Sequence, residues 1–464
     1  MPRSPVPAAL ALFHRFVPGG ALLLSILTFI GYFLGLVRER ILSQSFGIGD
    51  ELDAFKAAFL IPELLFSVIV ASGLAAPFIP IFVGLKRDDG ERAAHRFGQS
   101  ILTLAVLVMG AVSVVLFSLA PLTVEVAASG FDAPKRALYT DLFRVMCFTQ
   151  LLFAGSMALG EVLIAERRFF FYGAAPLLYN LGIVIGTVLF VDSIGIFAPA
   201  VGALLGAAMH LGIRFIGITR TSFRPWPRLE LRTPAVREFF RLLLPKTGGG
   251  PIDPLTFIFF SNLASTMAVG SVTVVDQARN FQSLPVGLIG VTFALATFPT
   301  LATRYAAHDR GGFTALVVRN AFTIGLLTSA AAVVLIVLGP FGIDLLLGGG
   351  EFGPDDVARL AQVLAVFALS VPFESLGHLL SRAIYATHHT LWQVGATVVG
   401  FVVTIAVAVA LSGSLGVIAI PLAFTVGSLV RCVLLVAVLA YRIRRMPAAT
   451  AEGGAAAEGG VPAD

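Results

Sequence analysis

The chain of 464 residues is short of charge. Asp, Glu, Lys and Arg make up 13% of it, against about 25% in soluble domains. A soluble fold of this length needs a polar surface, and there is too little polar side chain here to build one. Cysteine is scarcer still. Cys147 and Cys432 are the two, both in apolar stretches far apart in the chain. That excludes a disulfide framework and a cysteine metal site, and leaves small apolar packing as their role. Also missing are the Gly-x-x-x-x-Gly-Lys-Ser/Thr loop of the P-loop ATPases, a His-Glu-x-x-His metal motif and a nucleophile elbow. No enzyme is expected, and no cofactor; the identity of any coupling ion stays open. The net charge of +5 is small. Its basic residues lie in short loops between apolar runs, which excludes nucleic acid as a partner.

What the chain has in quantity is apolar sequence: 57% of its residues are hydrophobic and the mean hydropathy is +0.92. A membrane-crossing helix needs about 20 apolar residues. Cutting the chain at charge clusters and Gly/Pro turns predicts about twelve spans. They fall near 20–46, 52–84, 97–122, 138–165, 172–191, 196–218, 237–267, 271–303, 315–339, 356–386, 390–411 and 415–441. Arg3, His14 and Arg15 precede the first run, which continues past Gly35 and reads as an uncleaved first helix. The Gly/Ala/Glu tail Ala448–Asp464 reads as disordered.

The loops alternate in charge. Lys86, Arg87, Arg92 and Arg96 mark the second, Arg167 and Arg168 the fourth, Arg220, Arg224, Arg228 and Arg232 the sixth, and Arg304 and Arg310 the eighth. Arg442, Arg444 and Arg445 follow the last span. The fifth and ninth loops are acidic, the latter through Asp344, Glu351, Asp355 and Asp356. Lysine and arginine stay on the cytoplasmic side, so both termini are expected there.

The halves repeat. Asp53 is followed by Lys56 and Pro62, and Asp276 by Arg279 and Pro285, at the same spacing. Gly130-Phe131 opens one outer loop and Gly350-Glu351-Phe352 another, each followed at equal distance by the end of a long helix, at Ala165 and Ala386. Six spans per half is an even number, so the halves enter the membrane in the same sense, as a parallel repeat. The expected architecture is an all-α polytopic membrane protein of two parallel six-helix repeats around a central cavity. Its parts are a cytoplasmic segment 1–19, a first half 20–220, a linker 221–236, a second half 237–445 and a tail 446–464.

Ionisable groups inside spans are costly and therefore functional candidates. Arg38 and Arg40 lie in the first span, with Glu39 between them on another face. Asp53, Lys56 and Glu63 lie in the second, where Asp53 and Lys56 are spaced as an intrahelical pair. Asp276 and Arg279 repeat that spacing. Glu374, His378 and Arg382 recur every four residues on one stripe of the tenth span. Asp276, Glu374 and His378 are candidates for coupling or gating. So is the glycine run Gly248, Gly249 and Gly250 before Pro251, which lacks helical stiffness and reads as a hinge or a plain kink. Gly31/Gly35, Gly182/Gly186 and Gly202/Gly206 fit small-xxx-small helix packing.

Several of these stretches resemble one family. Gly31-Tyr-Phe-Leu-Gly-Leu-Val-Arg38-Glu-Arg, Phe46-Gly47, Leu52-Asp53-Ala-Phe-Lys-Ala-Ala-Phe59-x-Ile-Pro62 and Phe78-Ile-Pro80 resemble the MurJ (MviN) lipid II flippases. Asp276-Gln-Ala-Arg279, Leu284-Pro285-x-Gly287, Phe298-Pro299, Gly130-Phe131 and Pro176-x-x-x-Asn180 are similar to further motifs of that family. The resemblance covers most of residues 20–445. It implies the six-plus-six architecture of the multidrug/oligosaccharidyl-lipid/polysaccharide exporter superfamily. It also implies that Arg38, Asp53 and Arg279 match cavity residues. Tyr32, Phe66 and Ser67 stand where the family commonly has arginine, and the family usually continues into two further C-terminal helices.

The implied function is an alternating-access flippase in the bacterial cytoplasmic membrane, moving a polyprenyl-pyrophosphate-linked peptidoglycan precursor. Arg38, Arg279, Lys56 and Asp53 are the expected substrate-binding residues. The two arginines are expected to meet across the cavity on an anionic lipid-linked glycan. Alternatives are a flippase for another lipid-linked oligosaccharide, a cation/drug antiporter of the same superfamily, and a scaffold for cell-wall synthesis proteins. The expected partners are the lipid bilayer, the lipid-linked glycan and such proteins.

Overall fold

A computed structural model describes residues 19–66, 68, 75–247, 252–387 and 389–446. Among these, every regular element is helical apart from one isolated bridge between Gly349 and Phe352. Each expected span falls on one helix or on two in succession. Among the described residues, helices change where the sequence removes backbone donors or adds glycine. Pro372 opens a new helix in the tenth span. In the last two, Gly416 adopts φ +55° and a 3-10 turn separates the helices.

Eight helical segments among the described residues are long and apolar enough to cross a membrane. One of them, Thr390–Arg444, has 55 residues. At about 1.5 Å per residue it exceeds a bilayer core of about 30 Å by more than twofold, so with its central turn it makes two crossings. The outward faces confirm the solvent. Val114 is 67% exposed, Leu122 65%, Phe322 71% and Val337 67%. Water does not tolerate such continuous apolar surface. This is a multi-span membrane protein.

The chain divides into two compact units. The first runs to Ile258 and also takes in Leu346–Phe352. It holds α1 (Gly19–Phe46), α2 (Asp50–Phe66), α3 (Ala75–Asp88), α4 (Glu91–Ala127), α5 (Ala133–Ala165), α6 (Phe169–Ile194), α7 (Phe197–Thr219) and α8 (Pro234–Thr247), with the first turns of α9 (Ile252–Ser265). Helices α6 and α7 meet through glycine. A Cβ on Gly186 would sit 2.7 Å from the Gly202 amide nitrogen, and one on Gly182 would collide with Gly206. The expected small-residue packing of these four glycines is therefore present. Gly31 and Gly35 differ: nothing lies within 4 Å of where their Cβ would be, so that pair mediates no close approach among the described residues. Beneath α4, a cluster of Phe78, Phe82, Phe97, Phe223 and Phe239 closes the unit. It draws in the 221–236 stretch, where Gln99 Nε2 donates to the Arg224 carbonyl at 2.7 Å and the Arg228 amide donates to Thr103 Oγ1 at 3.0 Å.

The second unit holds the rest of α9, then α10 (Ser271–Pro285), α11 (Thr292–Ala306), α12 (Arg310–Leu347), α13 (Pro354–Ala368), α14 (Val371–Ala386), α15 (Thr390–Leu415) and α16 (Ala419–Arg444). A π-helical turn, Val286–Val291, joins α10 to α11. Within it Gly290 lies so close to α14 that a Cβ there would sit 2.8 Å from Ser375 Cα. The core of this unit gathers Leu301, Phe313, Ile384 and Leu435. Cys147 and Cys432 are both buried thiols.

Candidate functional site

In the first unit, α1 carries its charges in its last third. Arg38 donates from one terminal nitrogen to Glu39 Oε1 at 2.6 Å and from the other to Asn180 Oδ1 at 3.0 Å. Lys56 on α2 donates to the second oxygen of the same carboxylate, Glu39 Oε2, at 2.8 Å. The side chains of Lys56 and Glu39 are each 11% exposed. One carboxylate is thus shared by two cations from the first two spans. Glu39 does not turn to a separate face, as residue spacing alone suggests. Its three rotatable bonds let it curl back to its neighbour. Asn180 is held in turn by donating to the Pro176 carbonyl at 3.3 Å.

Asp53 meets a further cation, Lys135. It accepts from Lys135 Nζ at 2.9 Å, and Asp50 accepts from the same nitrogen at 2.8 Å. Lys135 sits over the Phe131 ring, 4.3 Å from its centroid. This ties the start of α2 to the start of α5. The structure therefore brings Arg38 and Lys56 together at Glu39, and places Asp53 with Lys135.

In the second unit, Arg279 on α10 grips Glu374 on α14 with both terminal nitrogens, at 2.8 and 3.1 Å. Gln282, one turn along α10, donates to Glu374 Oε2 at 2.8 Å and to Ser370 Oγ at 2.9 Å, and its own oxygen accepts from Arg279. The guanidinium lies over the Phe424 ring, 5.2 Å from its centroid, so it is braced on a second side by a cation–π contact. Asp276 accepts from Asn280 at 3.4 Å. His378 follows Glu374 by one turn of α14. Gly248, Gly249 and Gly250, the expected hinge, lie outside the described residues.

Glu39, Asn180, Lys135, Gln282 and Ser370 complete these networks, and none was expected as a site residue, though Asn180 stands in the Pro176-x-x-x-Asn180 motif. Glu39 had a signal, its place between two intramembrane arginines. The long-range bonds of the other four span 82 to 142 residues.

Loop contacts in the first unit sort by charge. The basic loops bond one another: Lys86 pairs with Glu166 at 2.6 Å, Arg168 donates to the Arg220 carbonyl at 2.8 Å, and Ser222 donates to Glu91 at 3.2 Å. The Glu166 hydrogen bond holds the Lys86 ammonium above the usual lysine range. The odd loops bond one another elsewhere. Lys135 joins Asp50, Gln44 donates to the Gly348 carbonyl at 2.6 Å, and the Glu351 amide donates to the Gln44 carbonyl at 2.9 Å. Gly47 must be glycine here, with φ +60° and the Glu351 carbonyl 2.7 Å from where a Cβ would be.

Comparisons with known proteins agree with this architecture. The chain is 27% identical over 404 residues to a probable lipid II flippase MurJ of Thermotoga maritima, covering 86% of this chain and 80% of that protein. It is 26% identical over 418 residues to a probable lipid II flippase MurJ of Rhizobium meliloti, covering 88% and 78%. A solved structure of lipid II flippase MurJ in an inward closed conformation superposes with a TM-score of 0.76 at 21% identity, over 92% of this chain and 90% of that one. An inward-facing multidrug resistance MATE family transporter of the MOP superfamily gives 0.77 at 14% identity, over 92% and 98%. These two show a shared fold. The family model for lipid II flippase MurJ matches residues 42–453, from the end of α1 to beyond α16, and on that match the chain belongs to the MurJ family.

Proposed function

We propose that this chain is a flippase for lipid II, the polyprenyl-pyrophosphate-linked peptidoglycan precursor, in the bacterial cytoplasmic membrane. Family membership over residues 42–453 supports the substrate class. The observation that carries the site is the convergence of Arg38 and Lys56 on the one carboxylate of Glu39. Two cations that reach the two oxygens of a single anionic group are spaced to reach two oxygens of a phosphate. A pyrophosphate leaving water for hydrocarbon needs such charge-assisted donors in place of its hydration. Arg279 supplies a planar fork of the same chemistry in the second unit. With no ATPase motif in the sequence, the membrane potential or an ion gradient drives any uphill step, at about 2.3 kcal/mol per charge per 100 mV.

The test uses purified chain in vesicles with lipid II on one leaflet. Arg38→Ala is expected to lower flipping at least tenfold at equal folded protein. Arg38→Lys is expected to restore part of it, since lysine keeps the charge and loses the fork. A normal rate per molecule in Arg38→Ala would overturn the binding role.

The basic set of loops is assigned to the cytoplasm by the positive-inside rule, which puts both termini there. Because Cys147 and Cys432 are buried, the native chain is a usable background for labelling. An impermeant thiol reagent added outside cells should modify Gly49→Cys and leave Asp89→Cys untouched. The reverse pattern would invert the assignment.

A further inference from the structure

Arg279 is already occupied. Both oxygens of Glu374 fill its fork, and an incoming anion has to take that place. We propose that Glu374 is a built-in competitor for the anionic head group at Arg279, and that its displacement brings one proton into the site. The inference rests on the reading above, that Arg279 binds an anion.

The surroundings say what happens when the pair opens. The side chain of Glu374 is 11% exposed and that of Arg279 19%. Arg279 is held from its other side by the Phe424 ring, so the guanidinium keeps its position while the carboxylate moves away. On the α14 side, Ser375 is packed against Gly290 of the π turn, which fixes the helix backbone and leaves side-chain rotation as the movement. A carboxylate turned from Arg279 within this packed region has lost its cation. Burial disfavours an isolated charge, and the group is neutralised instead. Gln282 is placed for both states. Its amide nitrogen donates to the Glu374 carboxylate, and its amide oxygen can accept from a protonated Glu374.

His378 lies one turn along α14 from Glu374. Arg382 and Arg431 act on Tyr385, three turns further along. Asp276 bonds Asn280 one turn from Arg279, and Arg304 on α11 pairs with Asp309. The exchange balances: one anionic oxygen enters the Arg279 fork, one solvent proton joins a Glu374 oxygen, and both leave when the ion pair reforms. Substrate binding is thereby linked to proton uptake.

The experiment measures inorganic pyrophosphate binding to the full chain in detergent by titration calorimetry. Runs at one pH in buffers of different ionisation enthalpy count the protons exchanged. Pyrophosphate has its own protons, so the reading is the difference between wild type and Glu374→Gln. Wild type is expected to take up about one more proton per pyrophosphate than Glu374→Gln. It should also lose affinity relative to that variant by about tenfold per pH unit once Glu374 must be protonated for binding. Glu374→Gln should bind at least tenfold more tightly. Glu374→Asp keeps the titrating group on a shorter arm and should retain the extra proton, which covers the case in which Glu374→Gln fails to fold. Equal proton counts with measurable binding would overturn the exchange alone. No binding by folded wild type and variants would overturn the anion-site reading and the exchange with it.

Discussion

The two charge networks differ in how a carboxylate is divided. In the first unit each cation receives one oxygen of Glu39, from a neighbour in sequence and from Lys56, 17 residues away. In the second, Arg279 receives both oxygens of Glu374 across 95 residues, with Gln282 and Phe424 completing its surroundings. The repeat places a base at corresponding positions, Lys56 and Arg279, and leaves each unit to find its own acid. Sharing makes the first network the easier one to reorganise around a new anion. The bidentate grip makes the second a site that must be opened.

That contrast can be broken by removing single members. The largest effect is expected for Arg279→Ala, which strands Glu374. Breaking one side of a buried pair costs about 3–5 kcal/mol, to be read as a lower melting temperature in detergent. Arg279→Ala with Glu374→Ala should recover most of it, and a double variant as unstable as the single would show that the pair is not the cause. Arg38→Ala should cost less, about 1–3 kcal/mol, because Glu39 keeps Lys56. A larger loss than for Arg279→Ala would reverse the comparison. Lys56→Gln, which still offers Glu39 a donor, should stay near about 1 kcal/mol. The smallest change, within about 1 kcal/mol, is expected for Lys86→Ala, whose pair with Glu166 is partly solvated. A greater loss there would mean that the loop contacts, and not the intramembrane networks, dominate stability.

The spans were legible because hydrocarbon imposes one requirement on every crossing, a long apolar run, and because loop charge reports the alternation independently. The α6–α7 contact was legible from Gly182, Gly186, Gly202 and Gly206 because backbone proximity requires glycine at helical spacing. Gly31 and Gly35 have the same spacing and no partner surface among the described residues, since spacing describes one helix and packing needs two. The partners of the charges were the least legible part. The three-residue spacing that suggests Asp53 for Lys56 is a property of one helix and gives no sign that Lys56 also bonds Glu39 and Asp53 also bonds Lys135. Glu374 was visible as an intramembrane acid and not as the partner of Arg279, because that pairing depends on how α10 and α14 pack at Gly290.

The bond between Arg38 and Asn180 also sets a schedule for making the protein. Its partners are 142 residues apart. At about 5–20 residues per second of synthesis, the guanidinium of α1 waits on the order of ten seconds before α6 exists. Glu39 is present from the start, and Lys56 arrives within a few seconds at that rate. The carboxylate beside Arg38 therefore serves the nascent chain as well as the finished one: it chaperones an arginine through the interval in which the membrane holds only the first helices.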